Sequence, residues 1–380
     1  MGKTSNNVIL AVVSIIAFWL VVYILFKDKG GKRFQVLPLA IIIRAGISLD
    51  PMKPSLKSRI LRITGLIGLG VMVYLAFIFF KFIGELFVNK YLGGSGSQVQ
   101  GGVVPLIPGV TIPLDDLPYV LFGIGVAALV HELAHAYIAR AEGLRIKDAG
   151  IAIFLFFPAA FVEPDEDHVV KAPLLSRLKL YSAGVLANAV VFFILSSIMA
   201  LLLPSIAFGV GIYQVEDNSP AELAGLERGF IIVEVNGVRV KTIGDLSRVF
   251  DEIGVTDPEK SVSLELKVYH NGDYKIIRID KPEGRNSIGI VVMQYYKPEA
   301  LGVSLTSITM FNLILAIVNA APLAIPLPGG LILSDGGHAL KDVLDRLFGR
   351  KGVVLSNVAS VAVFIMLLSL MTLTPIELKP

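Results

Sequence analysis

The sequence predicts a polytopic α-helical membrane protein with about six transmembrane helices, re-entrant membrane-associated strands and one inserted soluble α+β domain. Three observations carry this expectation. The 380 residues are 54% hydrophobic and only 17% charged, and the mean hydropathy is +0.73, too apolar for an ordinary soluble protein. Six runs are long enough to cross a hydrocarbon core about 30 Å thick, which takes roughly 20 apolar residues as helix. One segment, 207–297, changes character altogether and alternates like the strands of a soluble sheet.

The six runs are 7–26, 61–88, 117–140, 177–203, 301–324 and 352–373. The first begins after a single lysine and lacks a small-residue cleavage site, so it reads as a retained helix rather than a signal peptide. Orientation follows from Lys and Arg in short loops. Loop 27–62 holds nine, loop 140–179 six and loop 325–351 four, against Lys3, Lys90 and Lys379 near the spans on the other side. This bias places the three basic loops in the cytosol and both termini outside. It also accounts for the net charge of +3 without any nucleic-acid partner.

Two apolar stretches are too short to span: "FQVLPLAIIIRAGISL" (34–49), which carries Arg44, and "AGIAIFLFFPAAFVE" (149–163), which carries Pro158. Both are rich in β-branched or aromatic residues and read as re-entrant or interfacial strands. Non-helical backbone at membrane depth must find its hydrogen bonds inside the protein. These stretches therefore either pair with each other or offer an edge to an extended ligand chain. Residues 93–118 form a Gly/Pro-rich outer loop ending in Asp116 and Pro118, which suit a helix start.

The organisation expected is a membrane domain in two parts, 1–206 and 298–380, around an extracytoplasmic domain, 207–297. The inserted domain shows strands ("FIIVEVNGVRV", "VSLELKVYHNGDYKIIRI"), the turn pairs Asn236-Gly237 and Asn271-Gly272, and one amphipathic helix, "TIGDLSRVFDEI". Ser219-Pro220-Ala221, Ala224-Gly225-Leu226, Gly229 and Asn236-Gly237 sit where a PDZ domain puts its helix cap, tight turn and hairpin. The segment resembles that family, and the resemblance implies capture of extended peptides by strand addition.

Chemistry is concentrated in "AALVHELAHAYIAR" (127–140), which sets His131, Glu132 and His135 inside a predicted span. Ionisable groups at that depth cost on the order of 2.5–3.5 kcal/mol each by insertion scales, and a bound cation offsets them. His131 and His135 are four apart, so on a helix they share one face at the spacing two ligands of one metal need. Glu132 lies beside them, where a carboxylate can take a proton from water. Neutral imidazoles with an oxygen donor suit zinc, which in catalytic sites usually has three protein ligands. The chain has no cysteine, so thiolate ligands, disulfides and thiol nucleophiles are all excluded. The metzincin pattern is excluded too, because Ile138 and Ala141 stand where it needs Gly and His. Candidates for the third ligand are Glu163, His168, Asp335 and His338. Asp335, in "LSDGGHAL", has flanking glycines that permit close approach and is preferred, with His338 next.

The intramembrane HELAH, the later Asp335-Gly336 after Asn319-x-x-Pro322 and the inserted PDZ-like segment together resemble the site-2 protease family of intramembrane zinc metalloproteases. "LSRLKLYSAGVLANAVVFF" (175–193) looks like the family's central helix and "NAAPLAIPLPGGLILSDGGH" (319–338) like its third-ligand segment. The resemblance implies one Zn2+ per chain held by His131, His135 and Asp335, with Glu132 as general base. Asn188, closing Gly184-x-x-x-Asn188, and Asn319 would hold substrate or stabilise the oxyanion. The chain departs from the family in having Val185 where Pro is common, and in a longer stretch between Pro322 and Asp335.

The expected activity is peptide-bond hydrolysis in transmembrane segments of single-span substrates already shortened by another protease. The active site would lie in the cytosolic half of a cell-membrane protein, and the PDZ-like domain would inspect substrates from outside. A metal or proton transporter using the same His/Glu/Asp cluster is the rival from another class, and a membrane scaffold is a third.

Overall fold

A computed structural model of the chain describes residues 2–27, 29, 31, 33–92, 103–327 and 330–371. Its elements begin with α1 (Gly2–Phe26), β1 (Phe34–Leu37), β2 (Ala40–Arg44), α2 (Leu56–Tyr91) and α3 (Leu117–Ala141). There follow β3 (Ile146–Phe154), β4 (Phe157–Pro164), α4 (Glu166–Lys171), α5 (Leu174–Ile206), β5 (Ala207–Val215) and α6 (Pro220–Leu223). Next come β6 (Ile231–Val235), β7 (Val238–Arg239), α7 (Ile243–Ile253), β8 (Val262–His270), β9 (Asp273–Lys281) and β10 (Ile290–Tyr296). The chain ends with α8 (Glu299–Ala320), β11 (Ala324–Leu327), β12 (Gly330–Leu333), α9 (Asp335–Phe348) and α10 (Arg350–Ser369).

Among the described residues, five helices are long and apolar enough to cross a membrane: α2, α3, α5, α8 and α10. The protein is polytopic. The first expected run, 7–26, falls in α1, whose side chains are described only from Val13, and Val13–Phe26 forms a shorter apolar helix. The run expected over 301–324 ends earlier, because α8 stops at Ala320. Pro322 disfavours helical geometry at the residue before it, and the chain enters β11 instead. The last expected run ends at Ser369, and its residues 372–373 lie outside the described residues, as do 93–102 of the Gly/Pro-rich loop.

The chain divides into two compact units, Met1–Ile194 with Ser307–Pro380, and Leu195–Thr306. In the first, α2 starts sharply because Ser55 and Ser58 form a reciprocal capping box. Small residues bring the helices close. An added Cβ at Gly68 would lie 2.8 Å from Ser182 Oγ, and Met72, Leu75, Val185, Ala189, Ala316 and Ala320 form one buried cluster of α2, α5 and α8. At the Arg62 end of this packing Lys179 donates to Glu142 Oε1 at 3.0 Å and Ser176 to Oε2 at 2.7 Å, so a buried lysine is matched by a buried carboxylate.

The two short apolar stretches do pair with each other. They form an antiparallel sheet of order β1-β2-β3-β4, with Ala40 opposite Phe154 and Arg44 opposite Gly150. Each stretch is a hairpin rather than one strand. The second hairpin turns at Leu155-Phe156, where Leu155 has φ 56 and its N–H donates to the Leu39 carbonyl at the tip of the first. Sequence patterning missed this turn because neither residue carries turn chemistry.

The second unit contains a six-stranded sheet of order β10-β5-β6-β8-β9, with β7 beside β6. Its apolar core includes Ile232, Val235, Leu246, Leu264, Leu266 and Ile279. Asn236 and Gly237, at φ 48 and 80, make the tight β6–β7 turn with the two left-handed positions that a type I′ hairpin needs. Helix α7 is fixed by a Thr242/Asp245 capping box and ends on Gly254 at φ 82.

Lys281 is fully buried in this unit, and its Nζ donates to the carbonyls of Asp257 (2.9 Å), Lys260 (2.6 Å) and Arg285 (2.6 Å). The ammonium thus ties the loop after α7 to the loop before β10. Lys281→Met keeps the stem but leaves the carbonyls of Lys260 and Arg285 without this donor and that of Asp257 with only the Lys260 N–H at 3.3 Å. It should destabilise this unit by about 2–4 kcal/mol, read as faster amide hydrogen exchange across 254–289 in the full chain. Unchanged exchange there would show that water replaces the ammonium freely.

Candidate metal centre

Helix α3 buries one face, and Gly123, Ala127, His131 and His135 follow it at four-residue steps. Gly123 is a close helix contact, since a Cβ there would lie 2.8 Å from the Ser307 carbonyl carbon. The two imidazoles meet edge to face with ring centroids 4.7 Å apart. His135 Nδ1 donates to the Leu180 carbonyl of α5 at 2.8 Å. A carbonyl only accepts, so this nitrogen carries the proton and Nε2 presents a lone pair. Asn188 Nδ2 lies 3.3 Å from His131 Nδ1, while Asn188 Oδ1 is buried without a partner. Exchanging the amide's N and O, which have the same shape, lets Oδ1 accept from Nδ1–H, and the His131 ring then also presents Nε2 as a lone pair.

Asp335 closes the cluster. Its Oδ2 lies 3.0 Å from His131 Nε2 and 3.3 Å from His135 Nε2. The chain brings it there by folding the long stretch after Pro322 into the β11–β12 hairpin, with Ala324 opposite Leu333. Ser334 locks the hairpin base: its N–H donates to the Leu323 carbonyl at 3.0 Å and its hydroxyl to the Ala321 carbonyl at 2.6 Å. The same hydroxyl accepts from Gly337 N–H as the N-cap of α9. Gly336 and Gly337 are required here, because Cβ atoms would collide with the Ala320 carbonyl and lie 2.8 Å from that of Leu323. About two turns after Asp335, Asp342 accepts from Tyr181 Oη at 2.9 Å and pairs with Arg177 at 3.2 Å, which docks α9 on α5.

These donors fit a tetrahedral cation. Asp335 Oδ2 is buried yet forms no hydrogen bond, and with both Nδ1 atoms carrying the ring protons the two nitrogens facing it present lone pairs. Lone pairs held this close repel unless a positive charge sits among them. Ligands at about 2.0–2.2 Å from zinc in a tetrahedron stand roughly 3.3–3.5 Å from one another, close to the spacing seen. His131, Glu132 and His135 also offer donor atoms within 4.8 Å of one another.

Glu132 points to the sheet. Its Oε2 accepts the N–H of Val162 on the end strand β4 at 2.9 Å, which leaves Oε1 as its unengaged oxygen among the described residues. No sequence signal marked Val162, because its contribution is a backbone amide. The other expected site residues stand elsewhere. Glu163 is held by Arg44 and, at 3.1 Å, by Lys147, and the hydrogen bond from Arg44 keeps its carboxyl below the ordinary value. His168 is exposed on α4, and His338 stacks on Tyr181 with centroids 5.3 Å apart. Neither Glu163 nor His168 joins the cluster. Asn319 Nδ2 donates back to the Leu315 carbonyl in its own helix at 3.1 Å.

A polytopic membrane protein with a His-Glu-His-Asp cluster buried among its helices belongs to a narrow class. Residues 119–373 match the model of Peptidase family M50, and the chain belongs to this family, that of the site-2 proteases. It is 30% identical over 368 residues to an uncharacterized protein of Methanocaldococcus jannaschii, covering 93% of this chain and 92% of that one. It is 29% identical over 181 residues to an Arabidopsis thaliana protein named as a homolog of membrane-bound transcription factor site-2 protease, covering 46% of this chain and 35% of that one. A candidate zinc metalloprotease of Synechocystis is 28% identical over 180 residues, 39% of this chain and 49% of that one. The chain thus spans half or less of the two relatives with a named activity.

Proposed function

We propose that this chain is an intramembrane zinc metalloendopeptidase that hydrolyses a peptide bond in transmembrane segments of single-span proteins. The observation that carries the reading is the convergence of His131 Nε2, His135 Nε2 and Asp335 Oδ2 beside a carboxylate with one free oxygen. In this reading those three residues hold one Zn2+ per chain. When bound, the ion acts as a Lewis acid on the scissile carbonyl and lowers the pKa of water toward about 7. Glu132 takes a proton from the attacking water on Oε1 and returns it to the leaving amine as the C–N bond breaks. His135 is held by Leu180 and His131 by Asn188. That contact favours Asn188 as the group orienting His131 over a direct role at the oxyanion, whereas Asn319 would have to release Leu315 to reach substrate.

A substrate helix hides its peptide bonds, so the target must be extended before it is cut. Strand β4 ends the sheet beside Glu132, and an unwound segment laid along it would meet the base. The domain reading is a membrane domain, 1–206 and 298–380, around a PDZ-like domain at 207–297 that inspects substrates pre-cut by another protease. The Lys/Arg bias puts that domain and both termini outside, with the metal centre in the cytosolic half.

The test is made on purified full-length protein. Zinc near one per chain, together with zinc-dependent cleavage of a single-span reporter, is expected. Asp335→Ala should weaken zinc retention by more than the 10–100-fold typical of losing a supporting partner and abolish cleavage. Full zinc retention in that variant would remove Asp335 from the ligand set, and ion flux in proteoliposomes without cleavage would favour a transporter.

A further inference from the structure

An open groove of about 570 Å³ lies where α2 begins and α3 ends, lined by Met52, Lys53, Ser55, Lys57, Tyr137 and Arg140. None of His131, Glu132, His135 and Asp335 lines it. Tyr137 follows His135 by two residues, about 200° around the helix at 100° per residue, so it faces away from the buried side. Lys57 Nζ sits 5.5 Å from the centre of the Tyr137 ring. Arg140 is anchored by its Nε on the Asp50 carbonyl at 2.8 Å, and its own carbonyl accepts from Met52 N–H at 2.8 Å. Among the described residues, no carboxylate lies within ion-pair distance of Lys53, Lys57 or Arg140, while the nearby Arg62 and Arg145 do have acidic partners. Three cations thus line one groove with no carboxylate paired to them, the carboxylate of the neighbouring Asp50 being exposed and turned to Arg145.

The surroundings identify the occupant. Both helices are long and apolar enough to cross a membrane, and the groove lies at the start of α2 and the end of α3. Leu129 and Leu133 continue the Tyr137 face at four-residue steps and are exposed, as are Leu56, Ile60 and Ile63 after the start of α2. A cationic groove from which apolar helix faces run toward the bilayer matches a molecule with an anionic head and acyl chains, whereas a soluble anion would leave the apolar stripe unused. We propose that this groove holds the phosphate headgroup of an anionic phospholipid, with its acyl chains along the Leu129–Leu133–Tyr137 face of α3.

The proposal is independent of catalysis and its test reads binding alone. Purified full-length protein in detergent micelles is titrated with dioleoyl phosphatidylglycerol or dioleoyl phosphatidylcholine and followed by native mass spectrometry. Phosphatidylglycerol should bind at least about tenfold more tightly, and the preference should shrink as salt is raised. Lys53→Gln with Lys57→Gln and Arg140→Gln should bring the two lipids within about twofold of each other. Lys57→Gln alone, at an exposed position whose ammonium lies over the exposed Tyr137 ring, should lower the preference about threefold. Equal binding of the two lipids to the wild-type chain, or an undiminished preference in Lys57→Gln and the triple variant, would overturn the assignment. So would displacement of phosphatidylglycerol by equimolar inorganic phosphate, since that marks a free-anion site with no use for acyl chains.

Discussion

Glu132→Gln is expected to slow reporter cleavage by at least about 10²-fold, within the 10²–10⁴ that a positioned general base contributes, with zinc content unchanged. Glutamine keeps an oxygen that can accept the Val162 N–H, now 2.9 Å from Glu132 Oε2, so the tie between α3 and β4 survives. What it loses is the ability to take a proton. Glu132→Ala removes both the base and the tie, which makes the pair of variants diagnostic. If Glu132 served only to hold β4 against α3, the glutamine variant would cleave normally and the alanine variant would not. The proposed role requires both to be inactive. The comparison needs only reporter turnover and zinc content per chain, measured on the same preparations.

Helix positions and the shared face of His131 and His135 were legible in the sequence because each rests on a strong local signal. Hydropathy over roughly 20 residues locates a span, and α2, α3 and α5 all cover the expected runs. Four-residue spacing puts His131 and His135 on one face before any tertiary contact is known. Long-range backbone contacts were legible only in outline, as the pairing of the two short apolar stretches, and not in their turns or in what they deliver. The β3–β4 hairpin turns on Leu155 and Phe156 without Gly, Asn or Pro, so tertiary pairing with the first hairpin overrides local preference. The stretch from Pro322 to Asp335 carries Pro328-Gly329 between two apolar runs, a turn signal, but no local signal foretells that the pairing of β11 with β12 delivers the aspartate to the two imidazoles. Asn188 was visible as a buried amide in a span, but its partner was not, because sequence spacing carries no information about a residue 57 positions away.

Gly184→Ala is expected to separate helix stability from metal binding. Alanine is favoured over glycine within a helix by about 1 kcal/mol, so on propensity alone the substitution should stabilise α5. The added carbon, however, would lie 2.5 Å from both Nδ1 and Nε2 of His131, about 1 Å inside ordinary contact. Gly184 is buried within the helix core, as is Asn188 one turn further on. The backbone therefore has little room to retreat, and the imidazole is the part that must move. A shifted ring breaks the Asn188 contact and withdraws Nε2 from Asp335. Zinc affinity should then fall by at least about tenfold while α5 keeps its protection against hydrogen exchange, with chelator competition as the readout. Wild-type affinity in the alanine variant would mean that the ring finds another pose with the same donors. Loss of helix protection together with zinc would instead assign Gly184 to the packing of α5, with no specific part in seating His131.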